Sequence, residues 1–368
     1  MKRSNNKRTE VRNKYKLMAE IKHIHLKEVI RPLRTTFSTS LGKKDVMKSV
    51  IVKVVLKDGS HGLGECPTSF ALKQETIPAI RGILNEVSPG LINTPIDKYE
   101  NKIERLRRKY AHYPMTISGL EVALFRARLS NKKVSEHNYW GGCAKRLETD
   151  ITIPFIPDAE LLSRWIKYVL SKRFRIYKLK VSGNVEQDKK LISIVYRMLK
   201  DNLKTFTLRL DGNQGYTEKT FSQIINYIEK EGYRIQLFEQ PLPKNDYKGL
   251  REIKKYSPIP IILDETVFTV KDLQRAIEDN LCDGVNIKIA KSSISESFKI
   301  LTLAKRHKLK LMIGCMTETM VGLSVGIYLA SGTGSFDYID LDSIYFLRHK
   351  NQYGNINIKD SRFIIAIG

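Results

Sequence analysis

The chain has 368 residues, of which 42% are hydrophobic, and a formal charge of +25 at neutral pH. It is long enough for a sizeable core and too long for one small domain, and no run of eighteen apolar residues is present to span a membrane. No apolar signal core opens the N-terminus, and Cys66, Cys143, Cys282 and Cys315 lie too far apart for metal-type pairing, so a reduced, cytoplasmic protein is expected.

Part of the positive charge sits in residues 1–17, MKRSNNKRTEVRNKYKL, where seven basic residues face one acidic residue. That stretch has no apolar period and predicts a disordered basic tail. The other lysines are scattered rather than clustered with aromatics, which predicts a lysine-rich surface and no nucleic-acid partner. Such a surface still favours anionic ligands by long-range steering.

Residues 18–130 predict a small α+β domain. EIKHIHLKEVI and SVIVKVVLKDGSHGLGEC are strand-like, with a hairpin turn at Asp58-Gly59. Helical patterns follow over about 72–88, 97–110 and 115–130. From about residue 150 the rhythm changes. Short β-rich runs occur at 150–156, 175–181, 205–213, 235–241, 259–266, 284–290, 310–316 and 336–342, with an amphipathic helical stretch in each gap. Eight strand–helix units at this spacing predict a closed parallel barrel. An open doubly wound sheet is the alternative, but it would bring a glycine-rich phosphate loop after its first strand, and none is seen.

In such a barrel the chemistry lies at the C-terminal ends of the strands. Those ends carry Lys178 and Lys180 on the second run, Asp211 and Asn213 on the third, and Glu239 on the fourth. The fifth carries Asp264 and Glu265, the sixth Lys288, and the eighth Asp340 and Asp342. A single ionisable strand end is often structural. Six such ends are harder to dismiss, because unpaired buried charge is expensive. Asp211, Glu239 and Asp264 fall on neighbouring strands, and three converging carboxylates call for a cation. An all-oxygen set without Cys or His selects a hard ion, Mg²⁺, over zinc. Lys180 and Lys288 fall on opposite sides of the ring. A nearby cation, and Lys178 beside Lys180, should lower the lysine pKa. Two such amines can remove or return a proton on opposite faces of one carbon.

The motifs KLKV, LRLDGNQGY, FEQP, LDET and VNIKIAK resemble the enolase superfamily, in its muconate lactonizing enzyme subgroup, over nearly the whole chain from about residue 20. The resemblance implies a modified (β/α)₇β TIM barrel over 131–345, an N-terminal capping domain over 18–130, and a segment 346–368 that returns to the capping domain. It implies one Mg²⁺ per subunit on Asp211, Glu239 and Asp264, acid/base roles for Lys180 and Lys288, and Lys178 as the first lysine of K-x-K. Asn213 and Glu265 then stand behind the metal ligands. None of the seven histidines lies at a barrel strand end, so the branches with a histidine base are disfavoured.

Strand 8 separates the reactions that share this scaffold. It lies across the mouth from strand 4. A dipeptide spans roughly 7 Å, so its carboxylate can bind the metal while its ammonium reaches Asp340 and Asp342, which offer charge-assisted hydrogen bonds. The D-x-D pattern resembles that of the dipeptide epimerases, including those acting on L-Ala-D/L-Glu. An N-succinylamino-acid racemase or an o-succinylbenzoate synthase is the alternative on the same scaffold, and a non-catalytic basic nucleic-acid-binding protein is the alternative of another class. Related Ala-Glu epimerases place an arginine in the first capping loop where this chain has Gly42, followed by Lys43 and Lys44. Lys43 is taken as the candidate, although either lysine can act as a point charge. Thr152, Cys315 and Thr317 are expected to line the pocket. The family's double glycine after the second lysine is replaced by Ser292-Ser293, which is strained if the turn needs positive φ. The expected partners are a small dipeptide and further copies of the chain as a homo-oligomer, with no membrane.

Overall fold

The computed structural model describes residues 19–349 and 351–366; the basic stretch over 1–17 lies outside them. A three-stranded antiparallel sheet comes first, formed by β1 (Ile21–Thr39), β2 (Gly42–Leu56) and β3 (His61–Pro67). Alternation in β2 buries Val50, Val52, Val54 and Leu56 completely and turns Lys53 outward. The β2–β3 turn falls at Asp58-Gly59, with Gly59 at φ +87°. Helices α1 (Ile77–Val87), α2 (Tyr99–Lys109) and α3 (Pro114–Lys132) cover the sheet. A Cβ on Gly64 would lie 1.9 Å from the Gly119 carbonyl oxygen, so α3 rests directly on the β3 backbone.

After α4 (Glu136–Tyr139) and β4 (Arg146–Glu148), eight parallel strands follow in sequence order. They are β5 (Ile151–Ile153), β6 (Ile176–Lys180), β7 (Thr207–Asp211), β8 (Ile235–Glu239), β9 (Ile261–Leu263), β10 (Gly284–Lys288), β11 (Lys310–Gly314) and β12 (Tyr338–Asp340). Seven helices alternate with them: α5 (Ala159–Ser171), α6 (Val185–Asn202), α7 (Glu218–Lys230), α8 (Tyr247–Tyr256), α9 (Val270–Glu278), α10 (Ile289–Arg306) and α11 (Met320–Thr333). The result is a nearly closed (β/α)₇β barrel. Its helix starts are capped by Asp158, Asn184, Thr217, Asp246, Thr269 and Thr319, each accepting a backbone N–H.

The seam between β5 and β12 is closed largely by side chains. Asp150 N donates to Ile339 O at 3.2 Å, Leu341 N donates to Thr149 Oγ1 at 2.8 Å, and Thr152 N donates to Asp342 Oδ2 at 2.6 Å. A short helix α12 (Ser343–Phe346) follows, then a hairpin of β13 (Ile356–Lys359) and β14 (Arg362–Ile365). Strand β14 of the hairpin pairs with β4, at the entry to the barrel. The return to the capping domain is made by Leu347, which bridges Leu33, and by Arg348, which donates to the Leu33 carbonyl.

Ser293 kinks α10 at φ +65°, ψ 172°, a conformation almost reserved for glycine. Arg107 from α2 holds it there, donating to Ser293 Oγ at 2.8 Å and Ser295 Oγ at 2.6 Å while pairing with Glu121 and Glu296. Ser293→Gly is expected to raise stability by about 1 kcal/mol, read as a higher denaturation midpoint. A lower midpoint would mean that the Arg107 contact outweighs the strain.

Candidate active site

Parallel register brings the strand ends together. Lys180 and Asp211 are paired across β6–β7, and Asp211 and Glu239 across β7–β8. Asp264 follows Leu263, the last residue of β9, and Lys288 ends β10. Two-residue periodicity then points Lys178 and Lys180 to one face, as it does Arg209 and Asp211. The cavity at this end is lined from the barrel by Thr152, Lys178, Lys180, Asp264, Lys288 and Asp342, among others. The capping domain closes it with Phe37, Leu41, Lys44 and Phe70. Phe37 lies under Lys180, with Nζ 5.9 Å from its ring centroid. Ser40 Oγ pins the capping loop to the Asn213 carbonyl at 2.6 Å.

Charges in the cavity are paired. Lys180 Nζ donates to Asp211 Oδ2 at 2.5 Å, and Lys178 Nζ contacts Glu239, Asp211 and Asp340. Lys288 Nζ donates to Asp264 Oδ2 at 2.6 Å, and a further lysine, Lys291, donates to Asp264 Oδ1 at 2.6 Å. These ammoniums sit on the carboxylates expected as metal ligands. The negative charge of these carboxylates acts in turn on Lys178 and Lys288. Burial disfavours the charge of Lys178, but Asp340, Glu239 and Asp211 outweigh it and hold its pKa well above the ordinary value. Lys288 is likewise raised, burial being outweighed by Asp264 and Glu239. The lowering expected for these lysines belongs to a site whose carboxylates are neutralised by a cation. Conversely, burial pushes Asp264 up, and Lys288 with Lys291 pulls it below the usual range. Glu265 is pushed up to about 8 by burial and the charge of Asp264.

The residues fit a hard divalent ion. Asp211 and Glu239 are fully buried and Asp264 nearly so, and every donor is oxygen. Asn213 Oδ1, Glu265 Oε2 and Asn286 Oδ1 are buried acceptors without a donor. They lie beside the carboxylates: Asn213 donates to Glu265 and Asn286 to Glu239. Unsatisfied acceptors around buried carboxylates suit a cation with its water shell.

Other expected pocket residues fall as follows. Thr152 lines the cavity, and its amide donates to Asp342. Cys315 also lines it, 3.9 Å from Asp342, as does Thr317. Lys43 does not. It is exposed on β2, and Lys44, the next residue and thus on the other face, lines the cavity with Nζ 5.4 Å from the Phe70 centroid. Burial lowers the Lys44 pKa to about 8, against the pull of Glu318. Sequence reasoning missed Asp150, Arg209 and Lys291. Asp150 precedes its strand rather than ending it, whereas Lys291, three residues after Lys288 at the start of a helix, and Arg209, two before Asp211, had readable spacings.

This chain and its architecture match known proteins. Residues 19–136 match the mandelate racemase / muconate lactonizing enzyme N-terminal domain, and residues 160–366 the enolase C-terminal domain-like family. The chain belongs to this mandelate racemase / muconate lactonizing enzyme group of the enolase superfamily. It is 30% identical over 324 residues to the L-Ala-D/L-Glu epimerase of Thermotoga maritima, covering 88% of this chain and 91% of that protein. It is 28% identical to an aromatic dipeptide epimerase of Herpetosiphon aurantiacus, covering 89% and 91%. The solved structure of a substrate-liganded complex of the L-Ala-D/L-Glu epimerase from Bacillus subtilis superposes with a TM-score of 0.88 at 26% identity, over 94% of this chain and 96% of that one.

Proposed function

We propose that the chain, an isomerase of the epimerase class, is a Mg²⁺-dependent dipeptide epimerase that inverts the α-carbon of the C-terminal residue, with L-Ala-L/D-Glu as the favoured substrate. The observation that carries this reading is the pairing of two lysines at the ends of β6 and β10 with Asp340 and Asp342 in one cavity. Asp211, Glu239 and Asp264 would hold the ion, which supplies a Lewis acid to the substrate carboxylate and stabilises the charge formed when the α-proton leaves. Lys180 and Lys288 would each take that proton from one face and return it from the other. Asp342 would accept the substrate ammonium; unlike Asp340, it has no lysine on it. The capping residues Phe37, Leu41 and Phe70 cover the cavity and limit water.

The test is incubation with a dipeptide library in D₂O and Mg²⁺, followed by mass spectrometry. One deuterium at the second residue's α-carbon is the expected result. Exchange with N-acylated amino acids, and with no dipeptide, would favour the racemase and synthase reading.

Lys44 would meet an acidic second side chain. Lys44→Met is expected to raise KM for Ala-Glu by about tenfold and to leave Ala-Ala nearly unchanged. Because its pKa lies near 8, the amine is charged below that pH and neutral above it. The preference for Glu over Gln as second residue should therefore fade as pH rises through about 8 in the parent protein. An unchanged preference would remove Lys44 from the specificity site.

A further inference from the structure

Behind Asp340 and Asp342 stands a third carboxylate, Asp150, fully buried at the barrel seam. Oxygens of Asp150, Asp340 and Asp342 lie within 4.8 Å of one another. Two cations serve these three carboxylates. Arg209 donates to Asp150 Oδ2 at 2.6 Å, and Lys178 sits on Asp340. Among the described residues, Asp342 receives only the Thr152 amide and the distant Cys315 thiol, and Asp150 Oδ1 has no partner. Lys178 is shared with Glu239 and Asp211, so the cluster is short of positive charge, and the shortfall faces the cavity at Asp342.

We infer that Asp150 is a positioning and specificity residue: by holding Arg209 it leaves Asp340 and Asp342 short of positive charge, so that the site selects a substrate carrying an ammonium. The inference rests on the dipeptide reading above. Asp150 does not line the cavity, so it acts through its neighbours. Its charge keeps Arg209 from neutralising Asp340 and Asp342, and Arg209 in turn is anchored by Gln236 at 2.7 Å and stacks on Tyr338. The groups facing Asp150 are Asp340, Arg209, Lys178 and Asp342. Burial and Asp340 push its carboxyl well above the usual range, against the pull of Arg209 and Lys178. Asp342 is pushed up to about 6 by burial and Asp340.

The readout is a ratio, kcat/KM for a free-amine dipeptide over kcat/KM for the same dipeptide N-acetylated. A merely structural defect lowers both and leaves the ratio alone. Asp150→Asn should reduce it by about tenfold, mainly through KM for the free amine. The double variant Asp150→Asn/Arg209→Gln removes one charge of each sign and should restore the ratio towards that of the parent, even if its overall activity is lower. An unchanged ratio in Asp150→Asn, or a double variant as poor as the single one, would overturn the inference. Metal analysis of the holoenzyme should find one divalent ion per chain, and a second ion lost specifically in Asp150→Asn would assign the cluster to a metal instead. If the parent protein exchanges no dipeptide, the functional reading fails rather than the role of Asp150.

Discussion

Lys180→Ala and Lys288→Ala are each expected to abolish epimerisation, with kcat reduced by about a thousandfold or more. The two amines arise from β6 and β10, on opposite sides of an eight-stranded ring, and no histidine lines the cavity to replace either. A single remaining amine still reaches one face of the carbon. Each variant should therefore retain solvent deuterium exchange with one enantiomer at the second residue and lose it with the other. The pattern must be complementary between the two variants. Full epimerisation in either would sink the two-base assignment. Lys178→Ala should behave differently, because Lys178 is shared among Glu239, Asp211 and Asp340. It should damage both directions together. The raised pKa of Lys288 adds a condition: its amine can give up a proton readily only when the charge of Asp264 and Glu239 is neutralised. Exchange should therefore vanish on chelation of divalent ions and return on adding Mg²⁺.

Asp342→Asn should raise KM for free-amine dipeptides by about 10- to 100-fold, the worth of a charge-assisted hydrogen bond, while leaving Mg²⁺ affinity nearly constant. Asp342 is 5% exposed and touches none of the three proposed metal ligands. Asp340→Asn is the less clean variant, because its side chain also holds Lys178. It should cost kcat as well as KM. The pH dependence has a defined sign. The carboxyl of Asp342 is raised to about 6 by burial and Asp340, so it is charged above that pH and protonated below it. KM for a free-amine dipeptide should rise as pH falls through about 6, and an N-acetylated dipeptide should not show that rise. Equal sensitivity of both substrates would place the ammonium elsewhere.

Most of the barrel was legible because a parallel βα repeat gives each strand end a fixed address. Lys180, Asp211, Glu239 and Lys288 end their strands, and Asp264 follows directly on β9. The identity of the capping-loop cation was not legible. Lys43 and Lys44 are adjacent, and only the position of the β1–β2 turn, with Thr39 opposite Gly42, decides which faces the cavity. A shift of one residue flips every side chain. Asp150 was missed because it lies before β5, where barrel reasoning expects structural residues. The nearly open seam brings it beside the end of β12. Ser293 was read correctly as a candidate for positive φ, but its stabiliser, Arg107, comes from α2 of the capping domain, far away in sequence.

The seam has a consequence for how the molecule comes to exist. The contact between the Thr152 amide and Asp342 joins residues 190 positions apart, and it is made by the same carboxylate proposed to seat the ammonium. Closing the ring and building the substrate seat are thus one event. A growing or truncated chain that lacks β12 has a sheet with two open edges and no seat. In the finished protein, a ligand on Asp342 bears on the first and last strands of the barrel together, so occupancy of the site should brace the whole ring against opening.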